Sequence, residues 1–183
     1  MATLVLKMSI SLDGYVAAPD GSAGWEAEGR SPDGADWVLE TVSNAGVHLV
    51  GAATYARWAE FWPTAAGPFA EPMNDIPKVV FSNTLTTAEW AGATIVSGDL
   101  TEAVTRLKQE HPDGYLLAQG GARFARSLVT AGLIDEYRLV VHPVVLGAGE
   151  PLFTAPLTIE PVSIKAFSGG AVAHVFRARA RPQ

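Results

Sequence analysis

One stretch of the sequence is suited to binding a phosphate group, the run from Leu116 to Phe124. It begins as an apolar segment, passes through Gly120 and Gly121, and continues into a helical pattern. Glycines let a backbone approach a ligand closely, and the first turn of a helix presents unpaired N–H groups and a positive dipole end. This combination suits a pyrophosphate, although two glycines also occur in an ordinary tight turn. The candidate phosphate-binding residues are Gln119, Gly120, Gly121, Ala122, Arg123 and Phe124.

Three other predicted strand ends carry short polar or glycine-rich turns. Gly51 follows an apolar run, and the Thr54 hydroxyl after it is suited either to an anionic group or to a helix cap. The other two turns are Ser82 with Asn83 and Ser97 with Gly98. Their polar groups would serve a ligand at the strand ends, or would simply form turns.

Two carboxylates and one tryptophan are candidates for a substrate site. Asp13 and Gly14 end a buried strand, where an open α/β sheet binds ligands, but an Asp-Gly pair is also typical of a turn. Asp36 begins a predicted helix, where it would either interact with the helix dipole or, facing a ring pocket, relay a proton. Trp25 lies in a long loop, residues 17–36, and would either close over a flat ring or pack that loop onto the domain.

Alternating strands and helices must position these residues. Between residues 37 and 132 apolar strand patterns alternate with helical ones, which predicts βαβ units with right-handed crossovers and a mainly parallel sheet. The predicted strands up to that point are residues 4–10, 47–51, 78–81, 93–96 and 115–118. The predicted helices are residues 33–43, 52–58, 99–110 with a stop over 111–114, and 122–132.

The pattern changes after residue 136. Tyr137 to Val145 predicts a long strand, and two alternating runs around Gly169 and Gly170 predict an antiparallel hairpin. The arginines of the tail, which alternate up to Arg181, are interpreted as a solvated strand face and not as a basic binding site.

Composition limits the class of protein. A length of 183 residues with 48% hydrophobic and 17% charged residues predicts one domain over residues 1–183. The net charge is -6 and only 13 residues are Lys or Arg, which argues against nucleic-acid binding. The absence of cysteine excludes disulfides, thiolate catalysis and cysteine-ligated zinc, and it is typical of a reducing cytoplasm.

The distribution of the other residues narrows the class further. The four histidines are scattered without the close spacing of a metal motif. The first ten residues resemble neither a signal peptide nor a membrane span. We therefore expect a cytoplasmic protein with a small-molecule substrate and no metal, nucleic acid or membrane partner.

In their order along the chain, these motifs resemble the dihydrofolate reductase-like superfamily. More narrowly, they resemble the stand-alone relatives of the bacterial riboflavin-biosynthesis reductase domain. The matching segments are residues 8–15, 49–51 with Thr54 and Tyr55, 80–82, 119–122, 133–136, 143–149 and 152–153. The resemblance implies a three-layer α/β/α sandwich with a mixed, mainly parallel sheet and a C-terminal antiparallel hairpin.

The resemblance also implies an NADPH-dependent reductase that transfers hydride to a pterin-like or ribosylamino-pyrimidine-like substrate. Residues 120–124 would hold the pyrophosphate, Gly51 and Thr54 would lie beside the phosphates, and the turns after residues 81 and 96 would line the adenosine end. Asp13 and Gly14 would border the nicotinamide pocket. The other residues expected near the substrate are Trp25, Asp36 and Tyr55. The family habit of dimerising implies a homodimer.

The chain departs from the family pattern at the cofactor phosphates. The family commonly has an arginine after the glycine, which binds the 2′-phosphate of NADPH, whereas this chain has Ala52 and Ala53. Arg57, one turn later, would substitute for it. An arginine–phosphate contact is worth about 1.5 to 3 kcal/mol, so its loss would weaken the preference for NADPH over NADH. The alternative hypothesis is a non-catalytic nucleotide-binding module on the same fold.

Overall fold

The computed structural model of the protein describes residues 1–111 and 114–179. The strands are β1 Thr3–Ser11, β2 Tyr15–Ala17, β3 Ala45–Gly51, β4 Lys78–Phe81, β5 Ala93–Val96, β6 Tyr115–Gln119, β7 Glu136–His142, β8 Glu150–Pro151, β9 Ile159–Ala166 and β10 Val172–Ala178. The helices are α1 Pro32–Ser43, α2 Ala52–Phe61, α3 Ala70–Asp75, α4 Leu100–Glu110 and α5 Ala122–Thr130. Short 3-10 turns cover Gly24–Ala27 and Trp62–Thr64.

Eight of the strands form one sheet in the order β5-β4-β3-β6-β1-β7-β10-β9, while β2 and β8 pair in a separate small sheet. The neighbours from β5 to β7 are all parallel, and β10 runs antiparallel to both β7 and β9. The predicted mixed, mainly parallel sheet with a C-terminal antiparallel hairpin is therefore confirmed. The carboxyl ends of six parallel strands consequently lie along one edge.

Helices cover both faces of this sheet. The side chains of β1 alternate, so that Leu4 and Leu6 lie in one core and Val5 in the other. The first core packs against α4 and α5 through Leu107 and Leu128. The second core contacts α1, α2 and α3 through Val42, Tyr55 and Met73. The result is the expected three-layer α/β/α sandwich.

Three local predictions were wrong or incomplete. The strand predicted over residues 137–145 ends at His142, because Pro143 has no N–H group to continue the ladder. The segment of residues 63–76, for which no helix was predicted, contains α3, which is too short to show a helical period and is held by the buried Met73. The pairing of β2 with β8 gave no signal in the sequence, because each strand has at most three residues.

Some predictions fall at the limits of the description. Pro112 and Asp113, in the predicted stop of α4, and Arg181, in the predicted solvated face, lie outside the described residues. Arg179 belongs to that face, and its Nε donates to Glu160 Oε1 at 2.8 Å. Over the described part of the chain no helix combines the length and the apolar character that crossing a bilayer requires.

Candidate functional site

The glycine turn after β6 packs directly against α2. Gly120 and Gly121 have φ angles of 72° and 76°, a region that favours glycine. A Cβ on Gly121 would lie 2.5 Å from Thr54 Oγ1, and a Cβ on Gly120 would lie 3.3 Å from the Trp58 ring. The turn therefore has no room for side chains, and its backbone is pressed against the first turns of α2.

A second close contact joins the end of β3 to the first turn of α5. A Cβ on Gly51, at the end of β3, would lie 3.0 Å from Phe124 Cβ in the first turn of α5. Because β3 and β6 are hydrogen-bonded neighbours, the β3–α2 and β6–α5 junctions lie side by side on the carboxyl edge of the sheet. The N-termini of two helices therefore meet at one place.

Neither of these helix N-termini is capped by a side chain. Gly51 and Gly121 are the N-cap residues of α2 and α5, and neither can supply a side-chain acceptor to the first-turn N–H groups. By contrast, α4 is capped by Asp99, whose Oδ1 accepts from the Glu102 N–H at 2.9 Å. The free N–H groups and the two positive dipole ends suit a doubly charged anion such as a pyrophosphate.

The loops after β4 and β5 extend this edge. Asn83 Oδ1 accepts a hydrogen bond from the Gly98 N–H at 3.0 Å, so the two loops are tied together. Ser82 Oγ is engaged locally, where it accepts from the Leu85 N–H at 3.0 Å, and Ser97 is exposed beside Gly98. The structure thus brings the predicted adenosine-end residues together on neighbouring strand ends.

Two aromatic rings and two cations flank the helix N-termini. The rings of Phe81 and Phe124 pack 5.0 Å apart, beside Gly51. Arg57 on α2 and Arg123 on α5 are exposed, and neither has an ion-pair partner among the described residues. Both guanidinium groups are therefore available to a further phosphate.

A cavity of about 610 Å³ lies next to the glycine turn, between the sheet and helices α1 and α2. Its floor comes from β1, β6 and β7, and the segment of residues 26–31 and the β9–β10 hairpin form its rim. The floor residues are Lys7, Ser9, Gln119, Val140 and His142. Gln119 lines the cavity and precedes Gly120, and Trp58 lines the cavity and packs on Gly120. The cavity and the glycine turn are therefore continuous.

Lys7 is a titratable group on the cavity floor that was not among the site residues predicted from the sequence. It lies in the middle of β1, and among the described residues its ammonium group has no hydrogen-bond partner. Burial lowers the pKa of Lys7, the carboxylate of Glu26 opposes that shift, and the guanidinium of Arg30 adds to it. An ammonium with a lowered pKa releases its proton more readily, which is the property of a general acid. The available signal was a lysine inside a strand that is otherwise buried in the centre of the sheet.

The Asp13 carboxylate is hydrogen-bonded to two backbone N–H groups of a distant turn, and its catalytic role stays a prediction. Its Oδ1 accepts from the Leu146 N–H at 3.1 Å and its Oδ2 from the Gly147 N–H at 2.7 Å, while Ser11 Oγ donates to Oδ1 at 2.7 Å. The bond from Ser11 is the main reason that the pKa of this exposed carboxyl is lowered. Neither Asp13 nor Gly14 lines the cavity, and Asp13 ties the turn after β1 to the turn after β7.

Asp36 and Tyr55 are also placed away from the cavity. Asp36 is exposed on α1, whereas Ala35, Val38 and Val42 of the same helix line the cavity. Tyr55 is only 6% exposed, and its hydroxyl accepts from the Trp90 N–H at 3.2 Å inside the core. Neither residue lines this cavity, and their predicted substrate contacts stay predictions.

Trp25 packs its loop onto the domain, which was the second of its two predicted roles. Its ring lies edge-on to His142, with ring centroids 5.6 Å apart, and it does not line the cavity. His142 Nδ1 donates to the Glu28 carbonyl at 2.8 Å, and Asp33 accepts from the Ser168 N–H and Oγ. These contacts hold the loop against β7 and the hairpin, and contact of Trp25 with a substrate ring stays a prediction.

The comparisons with solved structures show the fold. A Shewanella sp. PV-4 protein named for riboflavin biosynthesis superposes with a TM-score of 0.78 at 21% identity, covering 98% of this chain and 100% of that one. A Thermotoga maritima deaminase/reductase gives a TM-score of 0.70 at 16% identity, covering 97% of this chain and 57% of that chain. The agreement confirms the expected dihydrofolate reductase-like architecture.

The comparisons with sequences show the family. The Bacillus subtilis (strain 168) protein YwjB, named as uncharacterized, is 32% identical over 151 residues, which is 81% of each chain. YyaP of the same organism, also named as uncharacterized, is 27% identical and covers 94% of this chain and 93% of its own length. The family model of the RibD C-terminal domain matches residues 2–173. The chain therefore belongs to the RibD C-terminal domain family, within the dihydrofolate reductase-like superfamily.

Proposed function

We propose that this protein is an NADPH-dependent reductase that transfers hydride to a small heterocyclic substrate. One observation carries the proposal: an anion site made of two uncapped helix N-termini is continuous with a cavity that holds Lys7. A reductase of this type needs both parts, since the cofactor phosphates and the reacting ring must be bound at a fixed separation.

The residues present fit the cofactor. The first turns of α2 and α5 would hold the pyrophosphate, with Gly120 and Gly121 bringing the turn after β6 close to α2. Phe81, Phe124 and the two loops tied by Asn83 would face the adenosine. Arg57 and Arg123, exposed beside the helix N-termini, would bind the 2′-phosphate in place of the missing arginine. NADPH would supply a hydride from its nicotinamide ring.

The chain itself would supply the proton. Reduction of a ring C=N bond places a hydride on carbon and a proton on nitrogen, so the two additions together give CH–NH. Lys7 Nζ would donate that proton, and the burial that lowers its pKa favours the release. Solvent would then return a proton to the amine. The aromatic walls of the cavity, among them Trp58 and Phe167, would exclude water from the reacting ring.

The substrate class follows from the family. The Thermotoga neighbour is named as a reductase of a phosphoribosylamino-uracil, which supports a heterocycle of the pyrimidine or pterin type. The alternative, a nucleotide-binding module without activity, gives no role to the Lys7 ammonium, which has no hydrogen-bond partner among the described residues. We therefore place the reductase first.

Titration with NADPH, followed by tryptophan fluorescence, tests the cofactor, because Trp58 contacts Gly120 and is expected to be quenched. A screen of pyrimidine, pterin and carbonyl compounds, followed through the loss of nicotinamide absorbance, tests the reaction. Saturable binding with no oxidation by any compound would favour the non-catalytic module, and no binding would reject both. The homodimer stays a prediction, which analytical ultracentrifugation would test.

A further inference from the structure

We propose that the cavity binds a planar, fused aromatic ring system that carries no phosphate ester. This inference rests on the proposed function, because it takes the cavity as the substrate site. It goes beyond that function by choosing between a neutral ring compound and a phosphorylated sugar derivative of a single ring.

The walls of the cavity are mainly aromatic. Five tryptophan and phenylalanine side chains line it, namely Trp58, Phe61, Trp62, Phe69 and Phe167. They come from α2, from the segment between α2 and α3, and from the end of the hairpin, so they surround the bound ring from separate elements. Such surfaces favour flat rings, which stack on them or meet their edges. A sugar phosphate would place its hydroxyl groups against the same apolar surface, where these hydroxyl groups would lose their hydration.

One aromatic side chain of the lining is largely exposed. Phe61, the last residue of α2, lines the cavity and is 59% exposed. A ring system that reaches Phe61 would cover this side chain and remove its apolar surface from water. A volume of about 610 Å³ is larger than a single pyrimidine ring needs and lies within the range of drug-sized pockets.

The charges in the cavity argue against a phosphate. The charged lining residues are Lys7, Glu26 and Arg30. Arg30 is already engaged by Glu26, because Arg30 Nε donates to the Glu26 carbonyl at 3.0 Å and the two side chains form an ion pair at 3.8 Å. Two cations and one carboxylate together give the lining a net charge of +1. A phosphate monoester carries about 1.5 to 2 negative charges at neutral pH, which this net charge does not balance in a partly buried site.

Lys165, a cation close to one lining residue, does not change this balance. Lys165 Nζ lies 5.8 Å from the centroid of the Phe167 ring, but Lys165 is exposed on β9 and is not part of the lining. A single ammonium is suited instead to a carbonyl oxygen or a ring nitrogen, which accepts one hydrogen bond. The geometry thus favours a neutral heteroaromatic ring with such an acceptor.

Two flavins provide a matched pair of probes, because riboflavin and FMN share one ring system and differ by a phosphate. Calorimetric titration of the full chain, with saturating NADP+ present to occupy the cofactor site, would measure the affinity of each, with 6,7-dimethyllumazine as a smaller neutral ring. We expect a neutral ring to bind and FMN to bind at least about tenfold more weakly than riboflavin. Equal or tighter binding of FMN, or no binding by any neutral ring, would overturn the proposal.

A substitution locates the effect in the cavity. Ala35 is an exposed lining residue on α1, so Ala35→Arg adds a cation at the rim without disturbing the core. We expect Ala35→Arg to tighten FMN binding at least about fivefold and to leave riboflavin unchanged, whereas the uncharged Ala35→Gln control changes neither. If the arginine leaves the FMN affinity unchanged, the ring is not bound in this cavity. The binding of NADP+ is measured first in the same titrations, so failure of the proposed function is seen separately.

Discussion

The ring of Trp58 lies 3.3 Å from the position that a Cβ on Gly120 would occupy, and the same side chain lines the cavity above Lys7. Trp58 of α2 thereby packs on the glycine turn and also lines the proposed substrate cavity. Since Gln119 and Gly120 are adjacent in the chain, β6 also reaches both regions. The separation between cofactor phosphates and substrate would therefore be fixed by two rigid elements and not by a loop.

The contact between Gly121 and Thr54 predicts a large effect of a single methyl group. Gly121→Ala would place Cβ 2.5 Å from Thr54 Oγ1 and would also hold a non-glycine residue at a φ of 76°. We expect a loss of about 2 to 4 kcal/mol in the free energy of unfolding, measured by urea denaturation.

Gly98 provides the matched control for this substitution. It has a φ of 95° but nothing within 4 Å of its Cβ position, so Gly98→Ala carries the backbone strain alone. The difference between the two variants measures the steric contact, and Thr54→Ala should restore part of it in the Gly121→Ala background. Equal losses in the two glycine variants would contradict the packing described above.

Replacement of Lys7 by methionine should separate stability from activity. Lys7→Met keeps the length of the side chain and removes a partly buried charge, so the variant should be at least as stable as the wild type at neutral pH. Turnover in any reaction that the wild type catalyses should fall about a hundredfold or more, while NADPH still binds. Lys165→Met, on the exposed strand β9, is the control and should retain turnover.

The pH dependence of stability offers an independent test of Lys7. Its pKa in the folded protein is lowered from the unfolded value of 10.5. Between the folded and the unfolded pKa values, the unfolded chain therefore binds more protons than the folded chain. The free energy of unfolding of the wild type should therefore rise with pH relative to that of Lys7→Met, up to about pH 10.5. A constant difference between the two proteins would show that the Lys7 ammonium is not desolvated.

The sequence predicted features whose causes are local. The strand, the two glycines and the following helix lie within residues 115–130, so this strand–turn–helix unit could be predicted from one continuous stretch. Phosphate binding at the turn stays a prediction. Lys7 could not be assigned, because its pKa is lowered mainly by burial under elements that are distant in the sequence, with smaller effects from Glu26 and Arg30. The sequence could not show which side of α1 faces the cavity. Neighbouring helical residues point about 100° apart, and Ala35 lines the cavity whereas Asp36 does not.

Asp13 shows the same limit over a greater distance. Its two backbone donors, Leu146 and Gly147, are 133 and 134 residues away in the sequence. The Asp-Gly pair was correctly interpreted as compatible with a turn, but no sequence pattern indicated which second turn it would stabilise. A carboxylate at a strand end therefore predicts a ligand site only when its own oxygens are not already used by backbone N–H groups.

The Asp13 contacts predict acid sensitivity. Because the pKa of Asp13 is lowered in the folded protein, its stabilising contribution is present above the unfolded value of 3.8 and is lost as pH falls through the folded value. Asp13→Asn should flatten this loss, since an amide does not titrate in this pH range. Urea denaturation of both proteins from about pH 6 downward would measure it. An identical pH profile in the variant would show that the carboxylate does not stabilise the two turns.

The uncapped start of α2 can be tested without damage to the helix. Ala53 is exposed in the first turn, and an aspartate there interacts favourably with the helix dipole while it repels a bound phosphate. Ala53→Asp should therefore maintain or raise the midpoint of thermal unfolding and weaken NADPH binding about tenfold or more. Thr101→Asp, in the exposed first turn of α4, is the matched control and should leave NADPH binding unchanged.

The choice between NADPH and NADH should depend on Arg57. Ala52 and Ala53 offer no cation after Gly51, and Arg57 is exposed on the same helix without an ion-pair partner among the described residues. If Arg57 binds the 2′-phosphate, Arg57→Ala should weaken NADPH binding by about 1.5 to 3 kcal/mol and leave the affinity for NADH, which lacks that phosphate, unchanged. Arg106→Ala, on α4 and paired with Glu110 at 3.8 Å, controls for the loss of a surface charge. Equal weakening of the two cofactors would show that Arg57 acts on the pyrophosphate or on the fold, and the same pair of titrations on Arg123→Ala would then decide whether Arg123 is the residue that binds the 2′-phosphate.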